Sequence, residues 1–218
     1  MGGLKVEFVE GTTINDVWFK LMVKLLTEPH REYIVEDGSF AGDTRLEFDF
    51  VVVRITNPSG SYPGYDPSNL RRLLPELPPN VAPPIDEKML WDYFSSYMLG
   101  NCIHGKEDKI ISMYSVYKNT NQCCIQIATT DDINLLYPPC LRHIDTKIVN
   151  NKLHFFPYFR SWDLWGGFPL NVAALQLLKE CMVSLLEIED GEIVASSKSL
   201  HIYGHTKKYL REVGYIIS

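Results

Sequence analysis

Residues 137–163 read YPPCLRHIDTKIVNNKLHFFPYFRSWD, and the fold is read outward from this stretch. From Asp145 to Phe159 two apolar runs flank Asn150-Asn151, residues that tolerate the left-handed backbone of a tight hairpin turn. Two strands joined there are expected. On the N-terminal side, Pro138 and Pro139 impose an extended, rigid approach to Cys140, because proline locks its own φ and restrains the residue before it. On the C-terminal side, Arg160-Ser161-Trp162-Asp163 follows the apolar strand Leu153 to Phe159. An arginine at a strand end can fork onto a phosphate and can favour the thiolate of a nearby cysteine. It can equally form a surface ion pair with Asp163. A cysteine after a turn is more often a packing residue than a nucleophile.

Further along comes Gly166-Gly167-Phe168-Pro169-Leu170-Asn171. Paired glycines let backbone approach a flat ligand closely. Asn171 offers a donor and an acceptor together, which suits the edge of a pyrimidine, or simply caps a helix. Leu170 to Ile188 is the longest helical stretch, with Pro169 just before it and Glu189-Asp190-Gly191 ending it. Glu192 to Tyr203 reads as a final strand carrying His201 and Tyr203 on one face, and Thr206 to Val213 as a terminal helix before the tail Gly214 to Ser218.

Toward the N-terminus, Cys123 to Ala128 is a short strand, and Asp86 to Leu99 is a helix capped by Asp86 and stopped at Gly100. Asn57 to Pro84 holds most of the prolines and reads as a long surface excursion. Leu46 to Ile55 is one strand, Glu36 to Asp43 a turn, and Ile14 to Leu26 a helix capped by Asn15 or Asp16.

At 218 residues with 45% hydrophobic content, the chain suits one domain with a proper core. A net charge of -6 argues against broad binding to a nucleic-acid backbone, yet leaves room for one small anion held by local arginines. Five cysteines without C-x-x-C spacing argue against a disulfide framework or a zinc site. The N-terminal residues do not form a signal peptide and no apolar run approaches a membrane span, so a cytoplasmic protein without a membrane role is expected.

Taken in order, PPC, a hairpin, FRSWD, GGFPLN leading a helix, and HIY resemble the thymidylate synthase and pyrimidine-nucleotide hydroxymethylase family, especially its short archaeal-type members. The resemblance is specific from Tyr137 to His205. It implies an α/β fold over residues 1–218, with a large mixed sheet covered by helices on one face, and a homodimer joined sheet to sheet. It implies thymidylate synthase chemistry on dUMP with 5,10-methylenetetrahydrofolate as cosubstrate, or else hydroxymethylation of a uracil or cytosine nucleotide, or a non-catalytic nucleotide- or folate-binding relative.

By the same resemblance Cys140 is the nucleophile that adds to C6 of the pyrimidine. Arg160 and Ser161 bind phosphate, and Arg160 helps keep Cys140 ionised. Asp163 holds the folate pterin, and Gly167 lies close to the ring. Asn171 reads N3 and O4 of uracil, where deoxycytidylate hydroxymethylases tend to carry Asp. His201 and Tyr203 bind sugar hydroxyls. Glu87, four residues before Trp91, is the candidate acid–base carboxylate, and a first-turn helix residue by the simpler reading. Two departures stand out. Leu141 replaces the usual histidine after the nucleophile, as in other short members. The segment Asn119-Thr120-Asn121-Gln122-Cys123-Cys124 lacks the arginine pair that the family extends across its dimer interface, leaving Arg31 or Arg45 to supply an N-terminal phosphate contact.

Overall fold

The computed structural model describes residues 3–38, 40–62, 66–82 and 84–214. The hairpin at Asn150-Asn151 forms as the sequence predicts: β6 (Leu141–Val149) and β7 (Lys152–Phe159) pair antiparallel, with φ of 52° and 61° at the two asparagines. β7 then pairs in parallel with β9 (Glu189–Ser197) through the crossover helix α4 (Gly167–Leu186). β4 (Phe50–Ile55) lies antiparallel to β9, and β1 (Val6–Gly11) parallel to β4. With β5 (Cys124–Gln126) on the far edge, the six-stranded mixed sheet has the order β1-β4-β9-β7-β6-β5.

Alternation sorts the faces. Val51, Val53, Ile55, Leu153, Phe155, Phe159, Ile193 and Ala195 are buried on the side covered by helices. α1 (Ile14–Thr27) and α4 pack there, and α4 is buried along most of its length, with Val172, Ala173, Ala174, Leu175 and Met182 fully enclosed. α4 is long and apolar enough to cross a membrane by composition, but more than half of it is buried in the protein interior. Val6, Phe8 and Phe156 stand exposed in the alternate positions.

The two strands expected as single pieces are each broken. Leu46 to Ile55 is β3 (Thr44–Phe48) plus β4, and Glu192 to Tyr203 is β9 plus β10 (Leu200–Tyr203). The breaks coincide, because Val51 faces Ser197 on one side of them and Phe48 faces Leu200 on the other. Asp49 accepts from the Lys5 N–H and the Ser199 N–H turns onto Ser197 Oγ, so backbone polar groups at the bend leave the ladder with partners. The chain thereby passes into a second sheet of order β2-β3-β10-β8, with β2 at Arg31–Ile34 and β8 at Trp162–Asp163.

Other boundaries move. Thr13 caps α1 by accepting from the Asp16 N–H, while Asn15 accepts from Glu76 N–H and Asp16 from Thr12 N–H. Asp86 does cap α2 (Glu87–Asp92), but the helix continues as a π-helix, Tyr93–Ile103, through Gly100 to a left-handed stop at His104. Pro169 lies inside the first turn of α4, and Glu189-Asp190-Gly191 opens β9 instead of forming a loop. There a Cβ on Gly191 would sit 2.4 Å from the Leu153 carbonyl, so no side chain fits. Among its described residues the proline-rich excursion keeps only one short 3₁₀ turn, Leu70–Leu73, yet buries Leu73, Leu74 and Val81, so it is partly core. α3 (Lys106–Val116) adds a helix to the expected set, and α5 (Gly204–Glu212) closes the described chain. The tail beyond Gly214 lies outside the described residues.

Candidate functional site

Cys140 is the last residue before β6 and is exposed. The two prolines before it have no N–H to donate, but their carbonyls need partners. Arginines provide them: Arg160 Nη2 donates to Pro138 O at 2.6 Å and Nε to Pro139 O at 3.3 Å, and Arg142 Nη1 donates to Pro139 O at 3.0 Å. The Arg160 N–H also donates to the Cys140 carbonyl at 2.9 Å. The sequence pattern PPC therefore becomes a fixed platform, held from the end of β7.

Two cavities meet at Cys140. The larger, about 570 Å³, is lined by Tyr33, Arg45, Arg160, Ser161, Lys198 and Tyr203 among others. The smaller, about 360 Å³, is lined by Tyr93, Tyr97, Trp162, Asp163, Gly167 and Asn171 together with Phe159. Ser161 lines both.

In the smaller cavity polar groups are already tied. Asn171 Oδ1 accepts from Trp162 Nε1 at 2.9 Å, and its Nδ2 donates to Tyr93 Oη at 2.8 Å. These bonds assign the amide orientation and leave one N–H and one lone pair for a ligand edge. Burial pushes the Tyr93 phenol far above its ordinary range and Tyr97 up to about 12, so both stay neutral donors or acceptors. Asp163 accepts from the backbone N–H groups of Gly166 (2.9 Å) and Gly167 (3.0 Å), which starts α4. A Cβ on Gly167 would stand 3.3 Å from Asp163 Cβ, so the glycine permits that tight entry.

The larger cavity has a different character. Arg45 on β3 donates to Tyr203 Oη at 3.1 Å and Tyr33 Oη at 3.3 Å. Glu47 accepts from Tyr33 Oη and Ser199 Oγ, and faces Arg31 at 3.7 Å. His201 is buried beside Tyr203, its ring 4.9 Å away, and its Nδ1 lies 3.0 Å from Ser199 O. Burial first, then the Arg45 charge, pushes the imidazole down to about 4, so it is neutral at pH 7. With Nδ1–H donating to Ser199 O, Nε2 is an acceptor, and among the described residues it has no partner.

Of the residues singled out from sequence, Cys140, Arg160, Ser161, Asp163, Gly167, Asn171 and Tyr203 line these cavities. His201 lies behind Tyr203 and lines neither. Glu87 is exposed in the first turn of α2 and also lines neither. Sequence reasoning missed Tyr93, Tyr97, Tyr33 and Lys198. Tyr93 and Tyr97 do carry a signal, a four-residue spacing on the expected Asp86 to Leu99 helix. The other two come together only through the broken strands.

Fold and site together define an α/β protein whose mixed sheet presents an exposed thiol to a cationic cavity on one side and an aromatic, amide-bearing cavity on the other. The family model for thymidylate synthase matches residues 106–213, the stretch that contains this thiol and most of both cavities. A putative thymidylate synthase of Methanococcoides burtonii is 28% identical over 208 residues, covering 90% of this chain and 89% of the relative. One from Methanosarcina barkeri is 25% identical over 201 residues, with the same coverage. A Listeria monocytogenes thymidylate synthase is 26% identical over 104 residues, 47% of this chain and 33% of its own length. The chain is thus similar to the thymidylate synthase family over residues 106–213, and to archaeal relatives of similar length over most of its own.

Proposed function

We propose that the protein is a methyltransferase that converts dUMP to dTMP through a covalent adduct of Cys140, acting as one domain over residues 1–218. The observation that supports this most is the position of Cys140 at the junction of a cation-lined and an amide-lined cavity. That arrangement suits a nucleotide whose phosphate and base lie on opposite sides of the thiol.

The Cys140 thiolate adds to C6 of the uracil ring, and the electron pair of the C5–C6 bond moves toward O4, making C5 nucleophilic. Asn171 presents its free amide N–H and lone pair to O4 and N3, held in register by Trp162 and Tyr93. Arg160 and Ser161 face the phosphate, and Tyr203 a sugar hydroxyl, with neutral His201 behind it. 5,10-Methylenetetrahydrofolate would supply the carbon and the hydride. The aromatic walls of the smaller cavity suit its flat ring, and Asp163 beside Gly167 would accept from its amino groups. Glu87 remains the acid–base candidate on one condition. From its exposed position it would have to be carried toward Cys140 by closure of the start of α2.

The same reading makes the protein a cytoplasmic homodimer. Val6, Phe8 and Phe156, exposed on the sheet, are the apolar surface that a second copy would cover.

The test is incubation with 5,10-methylenetetrahydrofolate and a panel of pyrimidine nucleotides, with products identified by mass. dTMP formation is expected with the wild type, and a loss on the order of 10⁴-fold or more with Cys140→Ala. A 5-hydroxymethyl product would instead make the protein a nucleotide hydroxymethylase. No product from any nucleotide would remove the enzymatic reading. A monomer by light scattering would remove the dimer.

A further inference from the structure

The larger cavity contains three cations that no carboxylate neutralises among the described residues: Arg45, Arg160 and Lys198. This sets them apart from Arg54, Arg72, Arg142 and Lys179, each of which is ion-paired. Arg45 spends its bonds on tyrosine hydroxyls and Arg160 on proline carbonyls, so their charge is oriented but not cancelled. Lys198 makes neither ion pair nor hydrogen bond among the described residues.

Lys198 stands where it does because of the strand break. In the parallel pair of β7 and β9, Phe159 faces Ser197, and the next residue outward on each strand is Arg160 and Lys198. The chains then stay together, with Trp162 N–H donating to Ser199 O at 2.8 Å. Had β9 run unbroken into β10, alternation would have carried residue 198 along the sheet; the break places it at the cavity rim. Arg45 reaches the same space from β3, whose register sets it opposite Tyr203. Like charges gathered in one concavity repel one another until an anion enters. Asp37 and Glu47 also line it, but Glu47 is already engaged by Arg31, Tyr33 and Ser199.

We propose that Lys198, with Arg45, joins Arg160 as a phosphate-binding group, so that the chain that carries Cys140 itself supplies three cations for the substrate's phosphate. Lys198 then determines preference for a nucleotide over a nucleoside. The choice of substrate rests on the proposed nucleotide reading; the anion site itself does not.

The experiment measures binding of three probes, inorganic phosphate, deoxyuridine and dUMP, to the full chain and to Lys198→Met and Lys198→Arg. Lys198→Met is expected to weaken phosphate and dUMP about tenfold, to leave deoxyuridine unchanged, and to flatten the salt dependence of dUMP binding. Lys198→Arg should retain most of the affinity. Equal phosphate and dUMP affinity in wild type and Lys198→Met would overturn the proposal, as would a wild type that binds no phosphate. If phosphate binds through Lys198 but no pyrimidine nucleotide binds or reacts, the anion site stands and the thymidylate reading falls.

Discussion

The two cavities that meet at Cys140 are built on opposite plans. The smaller one is complete before a ligand arrives: Asn171, Trp162, Tyr93 and Asp163 already hold one another or the backbone. Its geometry is therefore fixed by hydrogen bonds and not by free charge, and a mutation there removes a hydrogen-bonded unit. The larger one is incomplete: among the described residues no carboxylate pairs with its three cations, and behind it, beside Tyr203, the buried His201 Nε2 has no partner. Its properties follow charge. A pocket that reads a base edge needs fixed direction, since the difference between two bases is where a donor points. A pocket that holds a phosphate needs charge density and tolerates looser aim.

The largest break in this contrast comes from Asn171→Ala. The substitution leaves Trp162 Nε1 and Tyr93 Oη without their bonds and at once removes the base contact proposed for Asn171. Each orphaned group costs roughly 1–3 kcal/mol. kcat/KM with dUMP is expected to fall about a hundredfold or more, with thermal stability lowered as well. A variant that loses activity but keeps its melting temperature would show that the Trp162–Asn171–Tyr93 chain is not a structural unit.

The layer behind the larger cavity is tested by acid. His201 is neutral in the folded protein because burial and the Arg45 charge hold it down to about 4, against an ordinary value of 6.5. Between those values the unfolded chain binds the proton and the folded one does not, so stability is lost as pH falls from 6.5 toward 4. The loss approaches about 3 kcal/mol, by the worth of one pKa unit. Urea unfolding at stepped pH measures it, and Arg45→Met should narrow the window by raising the lower edge. A His201→Gln variant with the same acid dependence would assign the loss to other groups.

The same contrast explains what could be read from the sequence. The smaller cavity and the thiol come mostly from one contiguous stretch, residues 137–171, in which a hairpin, a two-residue strand and a helix start set the spacing. Local rules set the spacing there, so the order of motifs carried the family resemblance that nominated Cys140, Asp163, Gly167 and Asn171. The larger cavity gathers Tyr33, Arg45 and Lys198 from β2, β3 and the bend after β9. Nothing local at Asp49 or Lys198 announces that both strands bend at the same register, because the bend is set by pairing between residues about 150 positions apart. β1 was legible in principle from its alternation over Val6–Gly11, whereas α3 offers only Ile110 and Tyr114 as a buried pair. His201 and Glu87 are placed differently. Order in the chain nominated them, and the structure puts one behind the cavity wall and the other on the outside.

The smallest effect should come from Tyr93→Phe, which sharpens the claim that the smaller cavity is preorganised. The phenol is buried, driven far above its ordinary pKa by that burial, and receives a hydrogen bond from Asn171 Nδ2. Removing the hydroxyl frees that amide N–H but leaves the Trp162 bond to Asn171 Oδ1 in place, so the amide cannot flip without losing its other partner. One neutral hydrogen bond is worth about 1 kcal/mol. kcat/KM with dUMP is therefore expected to fall about fivefold, with the same preference for uracil over cytosine nucleotides. If Tyr93→Phe instead relaxed that preference, Tyr93 and not Trp162 would be the group that fixes the direction of Asn171. The double variant Tyr93→Phe with Trp162→Phe separates the two, because loss of both bonds leaves the amide free to present either end to the base.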